Sequence, residues 1–512
     1  MPRKYITTAI DYPNTPPHVG HTLEKVLADV CARWFRLCGN EVRFQTGTDE
    51  HGIKLQRAAE KEGMAPEAFV HRNRQWFIEP YRKLQISYDE PFMHTAENAQ
   101  HTQVVTQLWK KLAATKRKDG SAVLEKRGYT GLYCSGCERF LTKKDLIDGK
   151  CPDHNTVPEE ITEENWFFTL SKDTAMLKEL LKSSYVISPS WRANEVLALL
   201  DQGLEDVSFS RPRSSLSWGI PVPGDENQTM YVWCDALTNY ISGINYFEDE
   251  KSRRKWWEGP DVEVTHVIGK DIARFHALIW PAMLHHVGIR TPDRLLIHGF
   301  MTSDGKKMSK TLGNVVTPEE VFEKYGVDAL RFYLCHEIPV GNDGDFSWKR
   351  FGALYDAKLR NEVGNLLNRV IVLLKKEGGQ LGAIGKGEFI SVSHEPYRDA
   401  MNAFDMSGAL QIALKIASDS NKYIDVSKPW TLKGEEKVSV LSTLAEGLRH
   451  LSLALLPFTP ETAQKISLQL GVPYAAEILG KNFVITDEMK KWGGCREWKQ
   501  VGEPSILFPP LI

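Results

Sequence analysis

Along this chain the spacing of apolar positions changes character several times, and each change predicts an element. Tyr5–Ile10 is a run rich in β-branched residues and predicts a strand. Asp11 to Pro17, with three prolines and an asparagine, predicts a turn. Leu23, Val26, Leu27, Val30 and Leu37 then recur at helical spacing, and Gly39 is placed to stop the helix. Val42–Thr46 predicts a second strand, which runs into Gly47-Thr48-Asp49-Glu50-His51-Gly52. Strand, helix, strand opens a doubly wound α/β domain, whose ligands sit at the C-terminal ends of the strands. His18, His21 and Asp49 fall there.

From about Thr115 to Gly224 charged and glycine-containing segments alternate with short aromatic ones, which predicts an inserted domain. The α/β pattern resumes with a strand at Met230–Trp233, another at Val262–Ile268, a helix over Arg274–His286 and a strand at Leu295–Ile297. From Phe351 to Trp492 the apolar residues keep helical spacing, as in a helix bundle. The predicted organisation is an α/β, Rossmann-like catalytic domain in two halves (1–114 and 225–300), split by a connective insert (115–224). A loop-bearing region (301–350) and an all-α domain (351–512) follow.

With 512 residues, 42% hydrophobic and 25% charged, the composition is that of an ordinary globular protein. The net charge of −2 gives no overall attraction to nucleic acid, so any RNA surface must be local. No apolar run approaches the roughly 18 residues of a membrane span, and Met1–Ile10 lacks the core of a signal peptide. The expectation is a cytoplasmic protein with neither membrane nor DNA as partner. Eight cysteines in such a chain do not form a disulfide framework. Cys31, Cys38, Cys234, Cys335 and Cys495 are scattered and read as small buried apolar residues. Cys134-Ser135-Gly136-Cys137 and Cys151-Pro152-Asp153-His154 are different. Two ligand pairs, each with two intervening residues, have the spacing of a structural zinc knuckle with three thiolates and one imidazole; the alternative is two unrelated thiol pairs.

Two short motifs carry the chemistry. Pro17-His18-Val19-Gly20-His21 opens the first predicted helix, where backbone N–H groups favour anions. Lys307-Met308-Ser309-Lys310-Thr311 lies far downstream between Gly305 and Gly313, as a hinged loop would. Imidazoles from one side and lysines from the other suit a nucleoside triphosphate, whose chemistry depends on positioning and charge neutralisation. In the helical third, Asn361, Asn365 and Arg369 fall on one stripe about 80° wide, opposite Leu359, Val363, Leu366, Val370 and Leu374. By itself such a stripe is either a solvated face or a binding surface.

These motifs fit the H-x-G-H and K-M-S-K signatures of class I aminoacyl-tRNA synthetases. Tyr12-Pro13-Asn14, the Gly47–Gly52 segment and Trp218-Gly219-Ile220-Pro221-Val222-Pro223 make the chain resemble the methionyl branch of that family. Tyr231–Leu237, Ile268–Ile272, Phe275-His276 and Trp280-Pro281 add to the resemblance. It runs from about Lys4 to about Trp430 and is weaker beyond.

The resemblance implies a methionine–tRNA ligase that uses ATP with Mg²⁺ to make methionyl-adenylate and then charges the terminal ribose of tRNA(Met), initiator and elongator alike. It implies that His18, Gly20, His21, Gly269, Asp271, Lys307, Met308, Ser309 and Lys310 hold ATP, with His18, His21, Lys307 and Lys310 catalytic. Methionine would lie among Ile10, Tyr12, Asp49, Trp233, Ala236, Leu237, Tyr240, Ile272, His276 and Trp280, its ammonium on Asp49; core packing is the plainer reading of the aromatics. Asn361, Asn365 and Arg369, with Pro429 and Trp430, would read the anticodon. Cys134, Cys137, Cys151 and His154 would hold one structural Zn²⁺. Thr311 stands where many relatives have serine, and Asp11 where the family picture has a less charged residue. The alternatives are another class I synthetase, such as one for cysteine or leucine, and a non-catalytic RNA-binding relative. A chain ending at Ile512, without a further dimerising domain, is expected to be a monomer.

Overall fold

The structure is a computed structural model, and it describes every residue except 137, 138, 142, 153, 154, 309–312, 496 and 512, with the side chains of 139, 144 and 307 also left out. Of the residues singled out from the sequence, Cys137, His154, Ser309, Lys310 and Thr311 lie outside the described residues, and Lys307 is described by its backbone.

The central layer is a parallel sheet built from β1 (Arg3–Thr8), β2 (Glu41–Gln45), β3 (Val186–Ser188), β4 (Val262–Gly269) and β5 (Arg294–His298), in the order β2-β1-β4-β5-β3. The chain leaves β1 towards β2 through helix α1 (Val19–Leu37), and β4 joins the opposite side of β1. The order therefore reverses between β1 and β4, and their C-terminal ends open a crevice of the kind that binds ligands in such sheets. Helix α1 is buried along nearly its whole length. Its N-cap is His18, and Gly39 closes it with φ +82, a left-handed conformation in which glycine carries no Cβ penalty.

Two findings depart from the sequence reading. β3 lies inside the 115–224 span assigned to the insert, yet it pairs with β5 in the main sheet. It is three residues long with Val186 exposed, so it shows neither alternation nor an apolar run. Met230–Trp233 is not a strand of that sheet. Met230 ends an antiparallel strand, Asp225–Met230, of a separate small sheet, and α2 (Val232–Leu237) begins two residues later. The β-branched and aromatic residues there suit a strand by propensity, but packing against the crevice selects the helix. The rest of the insert holds a long antiparallel pair, Leu124–Cys134 with Glu159–Phe168, flanked by Arg139–Leu141 and Val207–Ser208.

The C-terminal third is helical, including Asn365–Lys376, Met406–Ser427, Gly434–Leu455 and Pro460–Leu470. It shares one apolar core with α1: Val26, Val30, Phe332, Leu366, Leu410 and Leu448 belong to the same cluster. Arg331, fully buried, pairs with Asp29 of α1 at 2.7 Å and donates to the carbonyls of Leu84, Pro457 and Phe458. A buried guanidinium is tolerable only with its donors satisfied, and these partners dock the helices firmly against α1. No helix among the described residues is long and apolar enough to cross a membrane.

Candidate active site

The two histidines of the first motif form the start of α1 between them. The Gly20 N–H donates to His18 Nδ1 at 3.0 Å, and the His18 N–H donates to His21 Nδ1 at 3.2 Å. This is a capping box made from imidazoles. It also fixes their chemistry: a ring nitrogen that accepts carries no proton, so in the neutral ring Nε2 holds the hydrogen. Each neutral histidine thus keeps one N–H donor, at Nε2, that the cap does not use. Burial pushes His18 down to about 3 and His21 down to about 4, helped by His21 on the first and by Lys25 on the second. Gly20 is required by close approach, since a Cβ there would lie 2.7 Å from the His18 ring.

The lysine segment comes to the same place. Met301–Ser303 pairs antiparallel with Lys306–Lys307 across a turn at Asp304-Gly305, both with positive φ (+48 and +73). After the motif, Val316 accepts a hydrogen bond from the Val19 N–H at 2.9 Å. Met301, Met308 and Val316 pack with Val19 in one buried cluster, and Met301 Cβ lies 3.7 Å from where a Gly20 Cβ would stand. Both flanks of the lysine motif therefore lie against the turn that carries the histidines.

Beside this mouth lies an aromatic pocket. Tyr12, Trp233, Leu237, Tyr240, Ile272 and Trp280 belong to one apolar cluster, and His276 joins it with its ring centroid 5.6 Å from that of Tyr240. Trp233 stacks on Phe275 with ring centroids 3.6 Å apart and planes 8° from parallel. Ile10, Tyr12, Trp233 and Ile272 keep partial exposure, whereas Leu237, Tyr240, His276 and Trp280 are buried behind them, as is Ala236. Their polar atoms are consumed internally. His276 Nδ1 lies 3.0 Å from the Ile272 carbonyl, which makes it a donor, so Nε2 accepts from the Tyr240 hydroxyl at 2.6 Å. Trp280 donates to His266 Nε2 at 3.2 Å, and His266 Nδ1 donates to Thr7 at 2.6 Å. Burial pushes His276 down to about 4 and His266 well down, so the pocket holds no imidazolium. Asp49 is buried near the rim, its N–H donating to Asp11 O at 2.8 Å. Gly269 ends β4, and Asp271 follows in the short turn beyond it.

In the helical third, Asn361 and Asn365 are exposed and Arg369 half-buried, while Leu359, Val363, Leu366, Val370 and Leu374 are buried. Arg369 pairs with Asp425 at 3.1 Å and lies 5.6 Å from the Trp430 ring, which is 50% exposed. Pro429 precedes that indole directly.

A family model described as tRNA synthetases class I (M) matches residues 4–157 and 154–371. The methionine–tRNA ligase of Caldanaerobacter subterraneus subsp. tengcongensis is 39% identical, over 99% of this chain and 78% of its own. That of a Nostoc species is 36% identical, over 98% and 96%. The structure is similar to Mycobacterium tuberculosis methionyl-tRNA synthetase in complex with methionyl-adenylate, with TM-score 0.88, 34% identity and all of both chains covered.

The chain belongs to the class I (M) tRNA synthetases.

Several residues of this candidate site leave no mark in the sequence pattern. Phe275 was visible only as a neighbour of His276, and nothing in its spacing announces the stack on Trp233. His266 was read as one residue of a strand. Asp235 joins two imidazoles, His51 at 2.6 Å and His101 at 2.5 Å, and ties the Asp49 loop to α2, which carries Trp233. Burial alone would raise Asp235, but the two imidazoles hold it far below the usual carboxylate range. Glu24 and Lys25 could have been flagged, as adjacent charges in a helix that is apolar on both sides.

These histidines set a pH dependence. An unfolded imidazole titrates near about 6.5. As pH falls below that value, the unfolded chain binds protons that the folded His18, His21, His266 and His276 refuse, so stability falls. His285, His394 and His450 act in the same direction; Asp11, Asp271 and Asp328, raised by burial, oppose them. Seven imidazoles outweigh three carboxylates, so the Tm of the ligand-free enzyme falls between about pH 7 and about pH 5. A calorimetric Tm that stays flat or rises over that interval would contradict the neutral assignments.

Proposed function

We propose that this enzyme is a methionine–tRNA ligase acting at the crevice between β1 and β4. The observation that carries the reading is the hydrogen bond from Val19 to Val316, which seats the lysine loop's exit on the histidine turn. In the first step a carboxylate oxygen of methionine attacks the α-phosphorus of ATP, the bond to the bridging oxygen breaks, and pyrophosphate leaves. His18 and His21 donate Nε2–H bonds to phosphate oxygens, where donors fixed in advance stabilise developing charge at little reorganisation cost. Lys307 and Lys310 approach the same oxygens from the loop, with the backbone of Gly20, Gly269, Met308 and Ser309 and the carboxylate of Asp271 completing the nucleotide site. ATP enters as its Mg²⁺ complex. Asp49 accepts from the substrate ammonium, and the uncharged wall of Ile10, Tyr12, Trp233 and Phe275 suits an apolar, polarizable thioether.

In the second step the terminal ribose hydroxyl of tRNA(Met) attacks the carbonyl carbon of the adenylate, and AMP leaves. Asn361, Asn365, Arg369 and Trp430 serve the anticodon: amides and guanidinium for base edges, indole for stacking. Methionine-dependent ATP–pyrophosphate exchange, run with each of the twenty amino acids with and without tRNA, tests this. Exchange with cysteine or leucine in place of methionine, or no exchange at all, would overturn it.

The insert's cysteines fit a structural zinc site. Cys134 and Cys151 are buried in one small cluster with Leu141, and neither is disulfide-bonded. Both meet Thr156: the Cys151 N–H donates to its carbonyl at 2.8 Å, and Cys134 Sγ lies 3.9 Å from its hydroxyl. With Cys137 and His154 they would form a closed set of four ligands, whose metal cross-links two loops. Elemental analysis should find about one zinc per chain. Chelation should speed hydrogen exchange in the Leu124–Phe168 hairpin while pyrophosphate exchange stays within about twofold. Metal-free protein with the same protection would refute the site.

A further inference from the structure

Beneath the histidine turn lies a buried ionic cluster that none of the roles above uses. Lys25 sits one helical turn after His21 on the same side of α1 and is 1% exposed. Its ammonium has three donors and three partners: Ala9 O at 2.9 Å, Asp11 Oδ2 at 3.0 Å and Glu24 Oε1 at 2.7 Å. Asp11 also accepts from the hydroxyl of Tyr81, fully buried, at 2.8 Å. Its backbone clamps the next segment, with N–H donating to Gly47 O and carbonyl accepting from the Asp49 N–H, each at 2.8 Å. Glu24 reaches the other way, to His298 Nε2 at 3.3 Å, at the end of β5 where the chain turns into the lysine hairpin.

One cation thus touches, directly or through a single residue, four of the segments around the crevice. These are the β1 exit with Ile10 and Tyr12, the loop with Asp49, the turn with His18 and His21, and the β5 exit. Stability does not explain it. Replacing a buried ion pair by uncharged groups of similar volume is often neutral or stabilising, so such a pair is poor evidence for a stabilising role. What three charge-assisted bonds from one ammonium do supply is fixed geometry. A displacement of about 1 Å in a reacting pair costs on the order of a hundredfold in rate.

We propose that Lys25 is a positioning residue for adenylate formation: with Asp11 and Glu24 it holds the amino-acid side of the crevice in register with the histidine turn. This rests on the ligase reading. Burial pushes Asp11 up to about 6 against the pull of Lys25, which leaves it ionised at neutral pH. Burial disfavours the ammonium, yet the two carboxylates raise Lys25 above the ordinary lysine value. Burial likewise opposes ionisation of Glu24, which Lys25 and His298 nonetheless bring down to about 2.

The test is the double variant Asp11→Asn/Lys25→Met, which removes the Asp11–Lys25 pair, nearly keeps its volume and leaves Glu24 its contact with His298. Exchange rates are divided by active sites counted from the burst of adenylate. The expected result is a Tm within a few degrees of wild type, KM for methionine and for ATP within about twofold, and kcat per active site at least about fivefold lower. A merely structural role would lower Tm and the active fraction and leave kcat per active site alone. A folded double variant with less than a fivefold loss overturns the proposal. If the double variant does not fold, Tyr81→Phe decides. That change removes only the hydroxyl on Asp11, and a kcat loss of more than about twofold at unchanged Tm supports the role, whereas a smaller loss overturns it. Absence of methionine-dependent exchange in the wild type would instead remove the ligase reading on which the inference stands.

Discussion

His21→Ala lowers the rate of methionyl-adenylate formation by about 10²- to 10³-fold, as removal of a preorganised donor to a developing oxyanion does elsewhere, with KM for methionine within about twofold. The side chain does two jobs, and they separate experimentally. Its Nδ1 accepts the His18 N–H at 3.2 Å and closes the helix cap. Its Nε2–H is the donor left for the phosphate. Loss of the cap costs about 1 kcal/mol of stability, visible as a modest fall in Tm but far too small to explain a thousandfold loss of rate. The pocket proposed for methionine belongs to a different apolar cluster from the one around Val19, so its KM is spared. Stopped-flow or burst measurements of the adenylate, beside a thermal melt, check this. A loss of rate no larger than the loss of folded fraction would place His21 in the scaffold instead.

Trp430→Ala is expected to leave methionine-dependent pyrophosphate exchange within about twofold while kcat/KM for charging tRNA(Met) falls by about ten- to a hundredfold. Stacking a base on an aromatic ring contributes about 1–3 kcal/mol, which sets that range. The indole is 50% exposed and rests over Arg369 at 5.6 Å, so its removal opens no core cavity and the protein stays folded. Arg369 is already held by Asp425 at 3.1 Å, which keeps the guanidinium in place in the variant. Equal losses in exchange and charging would mean a damaged fold. Unchanged charging would mean that the anticodon is read elsewhere.

Much of the scaffold was legible in periodicity. Strands β1, β2, β4 and β5 and helix α1 stand where alternating, β-branched or helical spacing put them, because each buries a regular face and burial imposes a period. β3 escaped because three residues at a sheet edge carry too little burial to leave a pattern. Met230–Trp233 misled because strand propensity and helix packing compete there, and packing won. Of the candidate site, the histidines stood out by motif, and the aromatic wall only through the family resemblance. Phe275, His266 and the pair Asp11–Lys25 did not, since their partners lie far off in the chain.

Asp11 shows the division most clearly. From the sequence it was a charge out of keeping with its surroundings. In the fold it is one end of a buried ion pair with Lys25 and a clamp on Asp49. The sequence by itself determined the elements, the basic motifs and the apolar face of each helix, because those depend on neighbours within a few residues. Only the tertiary structure decided which nitrogen of each histidine is the donor, which charges neutralise one another, and that the flanks of the lysine motif lie against the histidine turn. Hydrogen bonds and ion pairs act over about 3 Å in space, and the fold alone sets which residues come that close.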